Sequence, residues 1–303
     1  MSILATIIEQ KKKEIGALDA QVLRRLAESS PVPRDFLAAI SSRRFALSGV
    51  KAETKRGEGM SLSLIAELKR ASPSKGILAP HLDLFEVAEI YRQNGASAIS
   101  VLTDEKFFMG KLETLRELRF TYKSELPLLR KDFIIDQSQI YEGRVNGADA
   151  ILLIAAALLD DQHFADLHAL ALELGLAPLV EVHNEAETER ALRLKDVKLI
   201  GINNRNLATF EVSLETTKRI RPMISSDIAV VAESGIFNAG DVERLAEAKV
   251  DAILVGEALV TSKDIGAKVR ELGNVTPPKE YRGSVSEAKS LYSDERDASL
   301  RSA

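Results

Sequence analysis

The sequence has no cysteine, only four histidines and no long run of apolar residues. Without cysteine the chain can form no disulfide, no thiolate metal site and no cysteine nucleophile. The histidines are scattered and lack the close spacing of metal ligands, so no metal site is predicted. They are His81, His163, His168 and His183. No apolar stretch approaches the roughly 20 residues that a membrane-spanning helix needs.

The amino-terminal region also lacks the features of a signal peptide. Lys11, Lys12 and Lys13 interrupt it, and no apolar segment follows them. We therefore predict a cytoplasmic protein. Its formal net charge of −4 disfavours nucleic acid and anionic membranes as general partners, although a local basic pocket stays possible.

Apolar residues make up 45% of the 303-residue chain and charged residues 28%, which is typical of a globular protein with a sizeable core. Eight short apolar runs recur, each followed by a longer segment with helical periodicity. The runs are Leu62–Ala66, Ala98–Leu102, Leu126–Leu129, Ala150–Ile154, Ala177–Val182, Lys198–Ile202, Ile228–Ala232 and Ala252–Val255. The helical segments are Leu84–Asn94, Leu112–Tyr122, Ser138–Asn146, Asp161–Leu174, Glu185–Leu194, Ser213–Ile220, Asn238–Ala248 and Ser262–Leu272.

Eight alternating units predict an α/β protein with a closed (β/α)₈ (TIM) barrel. The runs are apolar at nearly every position, as expected for parallel strands that are covered on both faces. An open doubly wound sheet is the alternative. No G-x-G-x-x-G motif follows the first run, which weakens the dinucleotide-binding form of that alternative.

Two segments lie outside the eight units. Residues 1–48 carry apolar residues at helical spacing, and we predict helices that pack on the barrel, with a place over its mouth as one alternative. Residues 49–273 would form the catalytic barrel. Residues 274–303 begin with a polar, proline-containing stretch, and their low hydrophobicity predicts a disordered or loosely docked tail.

Polar residues follow five of the eight runs, where the active site of such a barrel lies. Side chains alternate along a strand, so the polar residues after one run can share a face. They are Glu67, Lys69, Lys131, Glu181, Asn203, Arg205 and Glu233. Any one of them could cap a loop or form a surface ion pair. Five strands that direct charges into one small volume instead indicate an active site, because buried charges need partners or a ligand.

A phosphate site is predicted after the seventh and eighth runs. Ser234 and Gly235 follow the seventh run, and Gly256 and Glu257 follow the eighth. Loops at these two places often present backbone N–H groups to a phosphate. Glycine allows a close approach of the backbone, although glycine also ends many ordinary strands.

The motifs at these strand ends resemble those of the indole-3-glycerol-phosphate synthase family. They are Ile65–Ser74, Ser100–Asp104 with Phe107 and Phe108, Leu129–Phe133, Leu179–His183, Ile200–Leu207 and Ala232–Gly235. The resemblance runs in order through about residue 272. It implies conversion of 1-(2-carboxyphenylamino)-1-deoxyribulose 5-phosphate into indole-3-glycerol phosphate, carbon dioxide and water, without a cofactor and by a monomeric enzyme.

The resemblance also implies a role for each polar residue. Lys131 would be the general acid of ring closure, and Lys69 and Glu181 would share the later proton transfers. Glu67 would hold Lys69, whereas Asn203 and Glu233 would bind sugar hydroxyls and cationic intermediates. The aromatic ring would lie between Phe108, Phe133, Leu153 and Leu254, of which the leucines could equally be barrel core.

The phosphate would be held by Ser72, Gly235, Gly256 and the backbone at Glu257, with Ser234 beside them. The carboxylate of Glu257 would repel a phosphate, so its side chain must turn away. Arg205 would pair with the substrate or with Glu181. Two alternatives stay open: another phosphosugar barrel such as an aldose–ketose isomerase, or a phosphate-binding scaffold without activity.

Overall fold

The computed structural model describes residues 2–41, 62–207 and 209–273. Eight parallel strands form a closed barrel in which each strand pairs with its sequence neighbours and β1 pairs with β8. The strands are β1 Ser63–Leu68, β2 Ala98–Leu102, β3 Leu128–Lys131, β4 Ala150–Ile154, β5 Ala177–Val182, β6 Leu199–Asn203, β7 Ala229–Glu233 and β8 Ala252–Val255. The predicted (β/α)₈ barrel is confirmed, and the open sheet is wrong.

Thirteen α-helices and one short 3₁₀ helix, Arg221–Met223, are found in the described residues. The α-helices are α1 Ile3–Ile15, α2 Ala20–Glu28, α3 Phe36–Ser41, α4 Leu84–Gln93, α5 Glu105–Phe108, α6 Leu112–Phe120, α7 Gln137–Val145, α8 Asp161–Glu173, α9 Glu185–Leu192, α10 Glu215–Ile220, α11 Ala239–Glu247, α12 Glu257–Val260 and α13 Ile265–Gly273. None of these helices is long and apolar enough to cross a membrane.

Asparagine and aspartate side chains begin many of the helices that follow a strand. Asp83, Asp104, Asp160 and Asn184 each accept a hydrogen bond from a backbone N–H of the first helical turn. Such caps satisfy donors that have no partner within the helix. They fix where the chain leaves a strand end and turns back along the barrel wall.

The apolar side chains form two layers. One fills the barrel interior and includes Ile65, Leu129, Leu179 and Val231. The other lies between the strands and the surrounding helices. Because side chains alternate along each strand, the residues at interior positions continue into the polar residues beyond the strand ends.

The three amino-terminal helices occupy three different places. In α1, Ile3, Leu4 and Ile7 line a cavity at the carboxyl ends of the strands. Helix α2 packs against α7. In α3, Phe36 and Ile40 join the interior layer and close the opposite end of the barrel. Helix α1 thus lies at the barrel mouth.

The predicted bounds differ from the observed ones at a few elements. The third strand begins at Leu128 rather than Leu126, after Pro127, which has no N–H to donate to a neighbouring strand. The last predicted helix, Ser262–Leu272, begins at Ile265 as α13, and the short helix α12 before it was not predicted. A short hairpin pairs Ala71–Ser72 with Gly76–Ile77. The predicted boundary at residue 48 and the predicted tail at 274–303 lie outside the described residues.

Candidate active site

The barrel interior carries the predicted polar side chains to one cavity at the carboxyl ends of the strands. Glu67, Lys69, Lys131, Glu181, Asn203, Arg205 and Glu233 all line it. The cavity has about 1170 Å³ of empty space, counted to its open mouth. Ile65, Leu129 and Leu179 face the barrel interior. Because side chains alternate along a strand, the polar residue two positions after each of them faces the same way and reaches the cavity.

Lys131 lies at the centre of the cavity between two buried carboxylates. Its Nζ is 3.2 Å from Oε2 of Glu181 and 3.2 Å from Oε2 of Glu233. The side chains of both glutamates are 2% exposed. Such charges are tolerated in a buried place only because they compensate one another.

A second ion pair joins Lys69 and Glu67, which share the interior face of the chain at the end of β1. Lys69 Nζ lies 3.0 Å from Glu67 Oε1. Gly256 makes room for this pair, because a Cβ at that position would be 2.5 Å from Glu67 Oε1. Glu67 and Lys69 are thus paired in the cavity.

The two carboxylates beside Lys131 have opposite pKa shifts. Burial favours the neutral form of Glu181, yet Lys131, His183 and Asn203 outweigh it and lower the pKa of Glu181 well below its ordinary value. Burial raises the pKa of Glu233, and Lys131 offsets this only in part. The pKa of Lys131 is raised, because the neighbouring carboxylates outweigh the effect of burial. These pKa shifts favour a carboxylate at Glu181, a neutral carboxyl at Glu233 and an ammonium at Lys131.

Two phenyl rings line the cavity beside these charges. The rings of Phe108 and Phe133 are 6.0 Å apart between centroids and tilted by 39°. Leu254 lines the same cavity, as predicted.

The prediction for Leu153 is wrong, because its side chain packs in the outer layer under the helices. Leu152 and Ile154 line the cavity instead. Strand β4 is apolar at every position, so its alternation gave no signal of which residues face inward.

The residues predicted to hold a phosphate lie together at the cavity wall: Ser72, Ser234, Gly235, Gly256 and Glu257. Ser234 and Gly235 have φ values of 66° and 78°, in the left-handed region that favours glycine. A Cβ on Gly235 would also overlap the side chain of Val212. Glycine at position 235 thus allows both the left-handed backbone and the close packing of Val212 against it.

Glu257 directs its carboxylate at cations. Its Oε1 is 3.4 Å from Nζ of Lys75, and its Oε2 is 3.9 Å from Arg205. Arg205 thus contacts Glu257, and Glu181 is paired with Lys131 and His183 instead. Of the two predicted partners of Arg205, Glu181 therefore forms no ion pair with it in the described residues.

Sequence reasoning missed a buried ion cluster beneath α1. Lys11 Nζ lies 2.9 Å from Asp104 and 2.8 Å from Asp132, and all three side chains are at most 3% exposed. The run of three lysines looks like a solvated surface. The available signal was the helical spacing, because Lys11 falls four residues after Ile7 on the same face of α1.

A second missed residue is His183, whose ring lies between two carboxylates. Its Nε2 is 3.2 Å from Glu181 and its Nδ1 is 3.0 Å from Glu187. These contacts raise the pKa of His183 to about 10, although burial acts in the opposite direction. Phe210 and Phe237, from the loops after β6 and β7, also line the cavity and were not predicted.

Fold and site together define a class: a (β/α)₈-barrel enzyme whose acid and base groups meet at the carboxyl ends of the strands. The sequence model of the family described as "Indole-3-glycerol phosphate synthase" matches residues 4–272. The chain belongs to this family.

Three relatives named indole-3-glycerol phosphate synthase illustrate the similarity. The chain is 53% identical to one from Dehalococcoides mccartyi over 216 residues, which are 71% of this chain and 83% of the relative. It is 48% identical to one from Roseiflexus sp., covering 88% of this chain and 94% of the relative. It is 46% identical to one from Polaromonas naphthalenivorans, covering 89% and 98%.

Solved structures share the fold alone. A thiamine phosphate pyrophosphorylase from Pyrococcus furiosus has a TM-score of 0.52 at 18% identity, covering 70% of this chain and 94% of that chain. The 3-hexulose-6-phosphate synthase from Salmonella typhimurium has a TM-score of 0.52 at 14% identity, covering 71% and 98%.

Proposed function

We propose that this protein converts 1-(2-carboxyphenylamino)-1-deoxyribulose 5-phosphate into indole-3-glycerol phosphate, carbon dioxide and water. Family membership supports the reaction. The observation that carries it is the place of Lys131, whose ammonium lies between Glu181 and Glu233 in the cavity that Phe108 and Phe133 also line. This arrangement presents a proton donor in a cavity whose phenyl rings offer an apolar surface for an aryl ring.

In the first step a carbon of the anilinic ring attacks the sugar's C2 carbonyl. The carbonyl oxygen gains negative charge, and Lys131 gives it a proton as the new carbon–carbon bond forms. The raised pKa of Lys131 keeps the ammonium charged before substrate arrives. Burial in a cavity of low polarity strengthens its attraction for the developing oxyanion.

The later steps need both an acid and a base. The carboxylate leaves as carbon dioxide, which restores the aromatic ring, and the C2 hydroxyl then leaves as water. We assign these proton transfers to Lys69 and Glu181, with Glu67 holding Lys69 at 3.0 Å. Asn203 and Glu233 would contact the sugar hydroxyls and the cationic intermediates.

We assign the phosphate to the cavity wall after β7 and β8. Ser72, Ser234, Gly235, Gly256 and the backbone of Glu257 would hold it, with Lys69 nearby. The Glu257 carboxylate contacts Lys75 and Arg205, which limits its repulsion of a phosphate. A phosphosugar is therefore the substrate class, rather than a nucleic acid or a membrane.

The direct test feeds the carboxyphenylamino-deoxyribulose phosphate to purified protein and follows indole fluorescence. Appearance of the indole product with release of carbon dioxide is the expected result. Consumption of the substrate to an isomerised sugar without indole would instead favour an aldose–ketose isomerase. Tight binding without turnover would favour a scaffold without activity. A monomer in the cytoplasm stays a prediction, and light scattering after size-exclusion chromatography tests the oligomeric state.

A further inference from the structure

Glu181 and Glu233 lie at the same distance from Lys131 but have unequal surroundings. Glu181 also contacts His183, whose Nε2 lies 3.2 Å from its Oε1. Within the described residues, neither oxygen of Glu233 makes a hydrogen bond, and Lys131 is its charged partner. Glu181 and Glu233 thus share the ammonium of Lys131, but His183 contacts only Glu181. This second contact makes the two carboxylates different.

The His183 ring is fixed in this position by Glu187 on α9. Glu187 Oε2 accepts from the backbone N–H of His183 at 2.9 Å and lies 3.0 Å from ring Nδ1. Its other oxygen accepts from Asn184 Nδ2 at 2.7 Å. Nδ1 is hydrogen-bonded to Glu187, and Nε2 makes no hydrogen bond but lies within ion-pair distance of Glu181. Two carboxylates this close to one imidazole favour its charged form.

We propose that His183 is a positioning residue that holds Glu181 as a carboxylate and so leaves Glu233 as the protonated partner beside Lys131. This inference rests on the proposed function of the cavity. It separates a base from an acid although both groups contact the same ammonium, one from β5 and one from β7 on either side of β6. Pairs of carboxyls whose surroundings push their proton affinities apart are a common basis of acid–base chemistry.

Two carboxylates contact His183 and favour its positive charge, and the other charged groups near it lie further away. Glu181 approaches from β5 and Glu187 from α9, while Lys131 lies beyond Glu181. A second cavity beside the ring is lined by Glu211 and Arg219. No ion pair joins either of them to His183 in the described residues, so the two facing carboxylates set its charge.

The charge on His183 is tested with His183→Gln, which keeps a donor to Glu181 but cannot carry a proton. Loss of an opposite charge at this distance should move the acidic limb of kcat/KM up by about one to three pH units. At neutral pH we expect kcat to fall about tenfold or more, with KM changed much less, because Glu181 and Glu233 then compete for one proton. A role limited to hydrogen bonding would leave the pH profile unchanged.

Glu187→Gln provides a second variant that leaves His183 in place. The amide still accepts from Nδ1 but no longer stabilises the imidazolium, so the acidic limb should shift in the same direction by less. Glu189→Gln is the matched control, because Glu189 lies on the same helix and is exposed. Its profile should equal that of the unaltered protein.

Nitrogen NMR of the histidine rings tests the proposal without using activity. The chain has only four histidines, and His183→Gln assigns one set of signals. In the unaltered protein both His183 nitrogens should be protonated at neutral pH. A neutral His183 ring, or a Gln variant with unchanged kcat and pH profile, overturns the proposal. If no indole forms in any variant, the proposed function fails, and the NMR result still decides the charge of His183.

Discussion

Lys131 is the residue on which the proposed chemistry most depends. Replacement by methionine keeps much of the side-chain volume but removes the proton donor, and it leaves Glu181 and Glu233 without their shared cation. We expect Lys131→Met to lower kcat by about 10²-fold or more. Steady-state turnover measured by indole fluorescence gives the result, and exposed Lys195→Met is the control. Normal turnover by Lys131→Met would rule out this assignment.

A substitution at Gly201 on β6 tests how strongly kcat depends on the position of the Glu233 carboxylate. A Cβ at Gly201 would overlap Oε1 of Glu233 and lie 3.2 Å from Leu179 Cδ1. The end of a flexible side chain can move aside, so Gly201→Ala should displace the carboxylate at little cost to the fold. We expect kcat to fall at least about tenfold while the melting temperature changes by only a few degrees.

The matched substitution is Gly16→Ala, at an exposed turn where a Cβ would have only ordinary contacts. It should leave kcat unchanged. A large loss of stability in Gly201→Ala would show that the barrel backbone, rather than Glu233 alone, resists the added methyl group.

At the scale of elements, α1 is held to the barrel mouth by a buried cation. Lys11 reaches Asp104 after β2 and Asp132 after β3, and Asp132 directly follows Lys131 in the chain. Lys11→Met would leave two buried carboxylates without this partner, which costs about 3–5 kcal/mol in comparable sites. We expect a lower free energy of unfolding in urea. We also expect a raised KM, because Ile3, Leu4 and Ile7 of α1 line the cavity.

Lys12→Met is the natural control for this prediction. Lys12 is the next residue along α1, its side chain is 60% exposed, and it pairs with Glu9 at the surface. Exposed pairs contribute about 0–1 kcal/mol, so this variant should have nearly unchanged stability and KM. Equal effects of the two substitutions would mean that the buried cluster does not hold the helix.

At the scale of the whole molecule, stability should depend on pH through a buried histidine away from the cavity. Burial in α8 lowers the pKa of His168 to about 4, and Asp196 offsets this only slightly. Below the ordinary value of 6.5 the unfolded chain binds a proton that the folded protein does not, so stability falls as pH decreases from there towards about 4. The loss from this group is about 2 kcal/mol at pH 5.

Urea unfolding at neutral pH and at about pH 5 measures this loss. The difference between the two conditions should be smaller in His168→Gln by about that amount. Exposed His163→Gln should keep the full difference. An unchanged difference in His168→Gln would mean that other groups produce the acid sensitivity.

Much of this protein follows from its sequence, because the relevant signals are local. Eight apolar runs that alternate with helical segments predict a barrel. The alternation of side chains then places Glu67, Lys131 and Glu181 on one face at the strand ends. The family resemblance rests on the same positions, and the predicted site residues other than Leu153 lie in one cavity.

The features that depend on contacts between distant segments were determined only by the tertiary structure. Leu152 rather than Leu153 faces the cavity, because an apolar strand gains its inward face only when the barrel closes. The burial of Lys11 depends on where α1 crosses the mouth. The difference between Glu181 and Glu233 depends on which carboxylate His183 can reach. Charge in a buried site is set by distances across strands, and no local pattern in the chain contains those distances.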